Sequence, residues 1–279
     1  VASSVIVFTP RSGSTIAAEL LAYKNKAINL DEFMAGNIRK PLFKRLPPNI
    51  KDSITDSKLL NDDCTELRAT MTESEKFLLN FDLYKRRSQY MKNLHDSNNL
   101  VIKYYPALAS PGITFIEWAI ENKYTIYFTK RRCIEDQLYS YLLADVKETF
   151  YRSAVKAGKL DIEKGAGFIN TKSTPKVVFP KVTLRDDTII SRMCDLLSLN
   201  IIFDSYFNKF KDYAKLVVYE DTIAKNDFTT FGISDNLAQS YFQGENSLRP
   251  TTKSSIGEQF NNWDRVLEIL KHYNMLTNE

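Results

Sequence analysis

Arg11, Ser12, Ser14 and Thr15 crowd around one glycine in Pro10-Arg11-Ser12-Gly13-Ser14-Thr15, close to the start of this 279-residue chain. A cation, several hydroxyls and a run of backbone N–H groups in so short a stretch are the means of holding an oxyanion. Consecutive amide dipoles grip a phosphate, and the positive end of a following helix adds to the field. The flanking residues supply the elements. Val5–Thr9 is a β-branched, apolar run that reads as a buried strand, and Ile16-Ala17-Ala18-Glu19-Leu20-Leu21 opens a helix. The same six residues also fit an ordinary strand-to-helix turn with a serine N-cap.

A second group follows another apolar run, Tyr124–Thr129. Lys130-Arg131-Arg132 leads into a helical pattern in which Arg132, Asp136 and Ser140 fall four apart, on nearly one helix face. Arg132, at the strand's carboxyl end, can fold back and meet the Ser140 hydroxyl. Cation and hydroxyl then make an anion site where open α/β sheets bind ligands. A basic helix entry with Asp136 in a local salt bridge is the plainer account. Two further features bear on proton chemistry: the carboxylates Asp31 and Glu32, just after the short run Ala27–Leu30, and Lys103 within Leu100–Tyr104.

The elements that must position these residues are legible in the apolar pattern. Strands are expected at Val5–Thr9, Ala27–Leu30, Leu100–Tyr104, Tyr124–Thr129 and Lys215–Tyr219. Helices are expected at Ser14–Tyr23, Ser74–Leu94, Ile113–Asn122, Ile134–Lys156 and Thr188–Tyr213, with a last one carrying Ile256 to Tyr273. Strands alternating with helices imply an α/β fold, a mostly parallel sheet of about five strands flanked by helices, in a single domain over 1–279. Arg39–Asp63, with Pro41, Pro47 and Pro48, and Gly158–Leu184, with three glycines and two prolines, read as loop insertions and candidate substrate-side walls.

Composition narrows the function. A net charge of +4 is too mild to argue for nucleic acid, though it suits a protein that holds an anion, and no apolar run approaches a membrane span. His95 and His272 are the only histidines, so a multi-histidine metal site is not expected. Cys64, Cys133 and Cys194 show neither metal spacing nor a disulfide framework. With no signal-like segment ahead of the first strand, the expectation is a cytoplasmic protein. His95 is expected in an exposed polar turn, Lys85-Arg86-Arg87 on a solvated helix face, and Trp118 and Trp263 in the core.

A Walker loop reads G-x-x-x-x-G-K-[ST], its lysine reaching the outer phosphates. Here no glycine precedes the turn, no lysine follows Gly13, and the cation Arg11 lies on the strand side. In these departures the chain resembles the sulfotransferases that use 3′-phosphoadenosine 5′-phosphosulfate (PAPS). Pro10 to Thr15 match their P-[KR]-S-G-[ST]-[ST] loop at every position. Arg132, Asp136 and Ser140 match their R-x-x-x-D-x-x-x-S signature, although Ile134 replaces the usual proline, and Tyr219-Glu220-Asp221 is similar to their recurrent Y-E-D.

The resemblance implies a P-loop-like three-layer fold and PAPS as cofactor. Arg11, Ser12, Gly13, Ser14 and Thr15 would cradle the 5′-phosphosulfate, and Arg132 and Ser140 would bind the 3′-phosphate. Arg249 and Lys253 are looser matches to a closing basic loop. Lys103 matches the lysine of the third-strand K-x-H motif, but Tyr105 stands in place of its histidine. Tyrosine at its ordinary pKa is a poor general base at neutral pH. Glu32 looks like the catalytic glutamate of the branch that includes bacterial trehalose, glycolipid and tyrosylprotein sulfotransferases, with Asp31 in reserve. The implied reaction is sulfuryl transfer to an acceptor hydroxyl, carbohydrate or glycolipid before peptide tyrosine, with no metal. A P-loop nucleoside or nucleotide kinase and a non-catalytic nucleotide-binding module are the alternatives.

Overall fold

In the computed structural model the described residues are 3–35, 38, 40–56, 59, 70–106, 112–156, 181–244 and 259–275. Five strands, β1 (Ser4–Phe8), β2 (Ile28–Asp31), β3 (Leu100–Tyr104), β4 (Thr125–Lys130) and β5 (Ala214–Val218), form one sheet in the order β2-β3-β1-β4-β5. Every pairing is parallel. The helices are α1 (Ser14–Asn25), α2 (Lys40–Arg45), α3 (Pro48–Asp56), α4 (Glu73–His95), α5 (Gly112–Glu121), α6 (Ile134–Lys156), α7 (Asp186–Phe210), α8 (Asp235–Gln243) and α9 (Trp263–His272).

The period of two along each strand divides the core. Val5, Val7, Ile102, Tyr104, Ile126 and Phe128 face a cluster built with α3, α4, α5 and α7. Ile6, Phe8, Val101, Tyr127 and Val217 face α1 and α8 on the other side. Burial on both faces is why β1, β3 and β4 read as near-continuous apolar runs, whereas β5, at the sheet edge, is largely exposed. A third cluster joins α6, α7 and α9 through Leu142, Leu196, Trp263 and Val266.

Arg39–Asp63 is not a plain loop where it is described, because it contains α2 and α3. Pro41 and Pro48 sit in the first turns of those helices, where a missing N–H costs nothing, so they start helices rather than break them. Of Gly158–Leu184, residues 157–180 lie outside the described set; Val182 then bridges to Phe260 and leads into α7. The solvated face expected at Lys85-Arg86-Arg87 holds for the first two only. Arg87 is buried, donating from Nε to the Leu59 carbonyl at 2.8 Å and from Nη1 to the Met34 carbonyl at 2.9 Å. His95 is only partly exposed, its ring 5.0 Å from that of Tyr124 and 5.8 Å from that of Trp118.

Candidate functional site

The sheet order sends the chain one way from β1 and the other way from β4. The crevice at their carboxyl ends is the topological switch point, where α/β sheets bind ligands. Both sequence-level groups arrive there. The loop after β1 is shaped by left-handed backbone at Arg11 (φ 63°) and Gly13 (φ 76°). Gly13 is also crowded, since a Cβ there would lie 2.5 Å from Ile223 Cδ1 and 2.9 Å from Tyr219 Cδ2. Conformation and space both demand glycine. Gly13 is itself the N-cap of α1 and no side chain caps the helix, so the serine-capped turn is not what forms. The first amides of α1 are left to the loop's own concavity. Ser12 is buried and its Oγ lies 3.0 Å from Thr129 Oγ1, tying the loop to β4.

Ser140 meets a different arginine from the one its spacing suggested. Arg11 Nε donates to Ser140 Oγ at 2.9 Å. Arg132 is instead paired with Asp221 in the turn after β5, and its side chain is 61% exposed. The carboxylate of Glu220 accepts the backbone N–H groups of Arg132 at 3.0 Å and Cys133 at 3.3 Å, holding the Tyr219-Glu220-Asp221 turn against the start of α6. Arg132 and Asp221 thus form a charge-assisted pair between the turns that follow β4 and β5.

Cations gather around Arg11. Burial, and then the neighbouring Arg131, push its pKa below the usual arginine value, while Tyr219 opposes the shift. Burial and then Arg11 lower the pKa of Lys147. Arg131 lies over the Tyr219 ring, 4.1 Å from its centre, with its Nε buried and unpartnered. Like charges packed together repel one another, and an anion among them relieves that repulsion. Sequence reasoning missed Arg131 and Lys147. The signal for Lys147 was its place seven residues beyond Ser140 on α6, two turns along the same face. Gln137, also missed, is buried and donates to Pro10 O at 2.8 Å and Thr9 Oγ1 at 3.1 Å, fixing the loop from the helix side.

On the other flank, Lys103 Nζ reaches Glu32 Oε1 at 2.7 Å, Asp31 Oδ1 at 3.2 Å and Thr15 Oγ1 at 3.2 Å. It also lies 4.6 Å from the centre of the Phe8 ring. The carboxylates come within its reach through an irregularity in β2. The β2–β3 register slips between Asn29 and Asp31, and Asp31 takes φ 50° with its N–H bonded to Asn29 Oδ1 at 2.9 Å. Bulges of this kind re-aim side chains at sheet ends. Asp31 is 1% exposed and Glu32 24%, so Glu32 alone presents an accessible carboxylate. Tyr105 stacks on Phe8 at 5.3 Å, and its pKa is raised by burial first, then by Tyr141, Glu32 and Asp195. It therefore keeps its proton at neutral pH.

Arg11, Ser12, Gly13, Ser14, Thr15, Lys103, Glu32 and Ser140 are thus joined by direct contacts or chain adjacency, and Arg132 stands at the adjoining turn. Arg249 and Lys253 lie outside the described residues. No family model matches the chain, and no curated protein or solved structure matches it. Among the described residues, no helix is long and apolar enough to cross a membrane.

Proposed function

We propose that this chain is a sulfotransferase that moves a sulfuryl group from PAPS to an acceptor hydroxyl. The observation that carries the reading is the two-sided placement of Lys103. One ammonium lies within hydrogen-bond reach of both Thr15 in the anion loop and the Glu32 carboxylate. A donor phosphate in that loop and a base for the acceptor would then share one cation.

The chemistry balances within these groups. Glu32 takes the proton from the acceptor hydroxyl as its oxygen forms a bond to sulfur. The bond from sulfur to the bridging oxygen breaks, and its electron pair leaves with 3′-phosphoadenosine 5′-phosphate (PAP). Arg11 and Lys103 neutralise charge growing on that oxygen, a stabilisation for which one lost donor costs roughly 3–4 kcal/mol. Amides of Ser12 to Thr15 hold the phosphosulfate in line. Arg132 and Ser140 grip the 3′-phosphate, with Asp221 giving up its partner to the ligand. The cation cluster of Arg11, Arg131 and Lys147 supports an anion of more than one charge.

Titration with PAP, AMP and ATP tests the reading directly, alongside transfer from labelled PAPS in a chelator. PAP should bind at least ~10-fold more tightly than AMP, as expected for one added charge-assisted phosphate contact. ATP binding tighter than PAP, with turnover strictly dependent on Mg²⁺, would move the chain to the kinases.

A further inference from the structure

Lys103 is held more fully than a cation waiting for a leaving oxygen needs to be. An ammonium group has three N–H donors. Three acceptors match them: Glu32 Oε1 at 2.7 Å, Asp31 Oδ1 at 3.2 Å and Thr15 Oγ1 at 3.2 Å. To reach a bridging oxygen, the ammonium must release one of the three. The two carboxylates differ in how they could do so. Asp31 is 1% exposed and its backbone is pinned, with its N–H donating to Asn29 Oδ1 at 2.9 Å. Asn29 in turn donates from Nδ2 to Glu19 Oε1 at 3.0 Å, which ties this end to the sheet and α1. Asp31 is therefore fixed, and buried beyond an acceptor's reach. Glu32, 24% exposed, is the carboxylate that can take a proton.

We propose that Asp31 is a positioning residue that anchors Lys103 while Glu32 lets it go, so that one N–H passes from the base to the leaving oxygen as the sulfuryl group moves. The inference rests on the sulfotransferase reading. The acceptor's proton goes to Glu32 and the acceptor oxygen bonds to sulfur. The bridging bond breaks, and its electron pair stays on the PAP oxygen. A neutral acid accepts a hydrogen bond more weakly than a carboxylate does. Glu32 therefore loosens its hold on Lys103 just as the bridging oxygen gains charge. Asp31 takes no part in the proton transfer, so its hold persists. The ammonium keeps three partners throughout and exchanges only one of them. On this account Asp31 is not a second base.

The test follows single-turnover release of PAP from labelled PAPS between about pH 4 and 9, where the acid limb of the rate reports the base. Water, methyl glucoside and p-cresol serve as acceptors. Among the described residues, the groups facing Glu32 are Asp31 from its own turn, Lys103 and the Tyr105 phenol from the β3 side, and Thr15 from α1 through Lys103. Tyr105 keeps its proton across this range, and α2 turns its Arg45 to Glu19. Asp31→Asn should slow turnover by about 10–100-fold, the loss expected of a misplaced catalytic group. It should also move the acid limb about one unit lower, because removing a neighbouring negative charge favours ionised Glu32. PAP affinity by calorimetry should stay within about twofold. A merely structural role would lower the rate at every pH and leave the limb in place. In unfolding midpoints, Asp31→Asn should cost less in a Lys103→Met background than alone, as residues in contact do. An unmoved limb, an unchanged rate or equal unfolding costs would overturn the anchor while PAPS turnover kept the sulfotransferase reading. No turnover of PAPS with any of the three acceptors would overturn both.

Discussion

Glu19 on α1 and Glu32 after β2 are each held by a cation, yet the two surroundings have opposite characters. Glu19 is 4% exposed and saturated: Arg45 Nη2 bonds both oxygens at 3.0 Å, Asn29 Nδ2 one at 3.0 Å and the Tyr241 hydroxyl the other at 3.3 Å. Its partners come from β2, α2 and α8, so the carboxylate fastens four elements. Among the described residues the Glu32 carboxylate has one hydrogen-bond partner, Lys103, and an open side. A buried acid with every lone pair occupied can only hold the fold together. An acid held at one oxygen and open at the other is placed but still able to take a proton.

Four substitutions or conditions separate these roles. Glu32→Gln should lower the transfer rate by roughly 10²–10⁴-fold, the usual contribution of a general base, with PAP affinity nearly unchanged. An active Glu32→Gln enzyme in a single-turnover assay would remove the contrast. Glu19→Ala should cost about 2–4 kcal/mol in denaturant unfolding, with the lower end favoured because Arg45 is 42% exposed and can regain water. Its kcat per folded molecule should stay at the wild-type value, and a selective fall in kcat would make Glu19 part of the chemistry. Arg132→Ala should weaken PAP by about 10–100-fold and AMP only slightly, the loss expected of one charge-assisted contact. Equal weakening of both nucleotides by calorimetry would sink the 3′-phosphate assignment.

The smallest effect concerns pH. Burial first, then Tyr206 and Tyr84, push the pKa of the Tyr104 phenol well above the ordinary tyrosine value. Above about pH 10 the unfolded chain releases a proton that folded Tyr104 retains, so the folded state binds more protons and stability falls as pH rises. Thermal unfolding between pH 9 and 11 should show this loss, and Tyr104→Phe should make it shallower. A Tyr104→Phe protein as alkali-sensitive as wild type would assign the loss to other phenols.

Where one physical signal governed a segment, the sequence was easy to read. The strand at Leu100–Tyr104 and the helix at Ile134–Lys156 have the expected bounds, because a run buried on both faces or a long apolar helical repeat leaves few alternatives. α8, only nine residues long and capped by Ser234, was missed although its apolar residues follow a helical period. At the site, the loop and Ser140 were legible from residue type and spacing. The partner of Ser140 was not: Arg11 and Arg132 were both eligible, and the choice depends on where Asp221 lies, more than eighty residues further on. The position of Glu32 depended on a register slip that no local pattern announces. Lys147, by contrast, could have been found from its spacing to Ser140.

The central place of β1 has a consequence for synthesis. Val5-Ile6-Val7-Phe8 emerges well before both its neighbours, since Ser4 pairs with Val101 on one side and Thr125 on the other. At ribosomal rates of about 5–20 residues per second, these apolar residues wait roughly 5–25 seconds for both neighbours. The segment that carries the anion loop is therefore an exposed strand of the nascent chain for that whole interval. Slowing translation between residues 10 and 125 should increase its demand on chaperones, whereas slowing it after β4 has emerged should not.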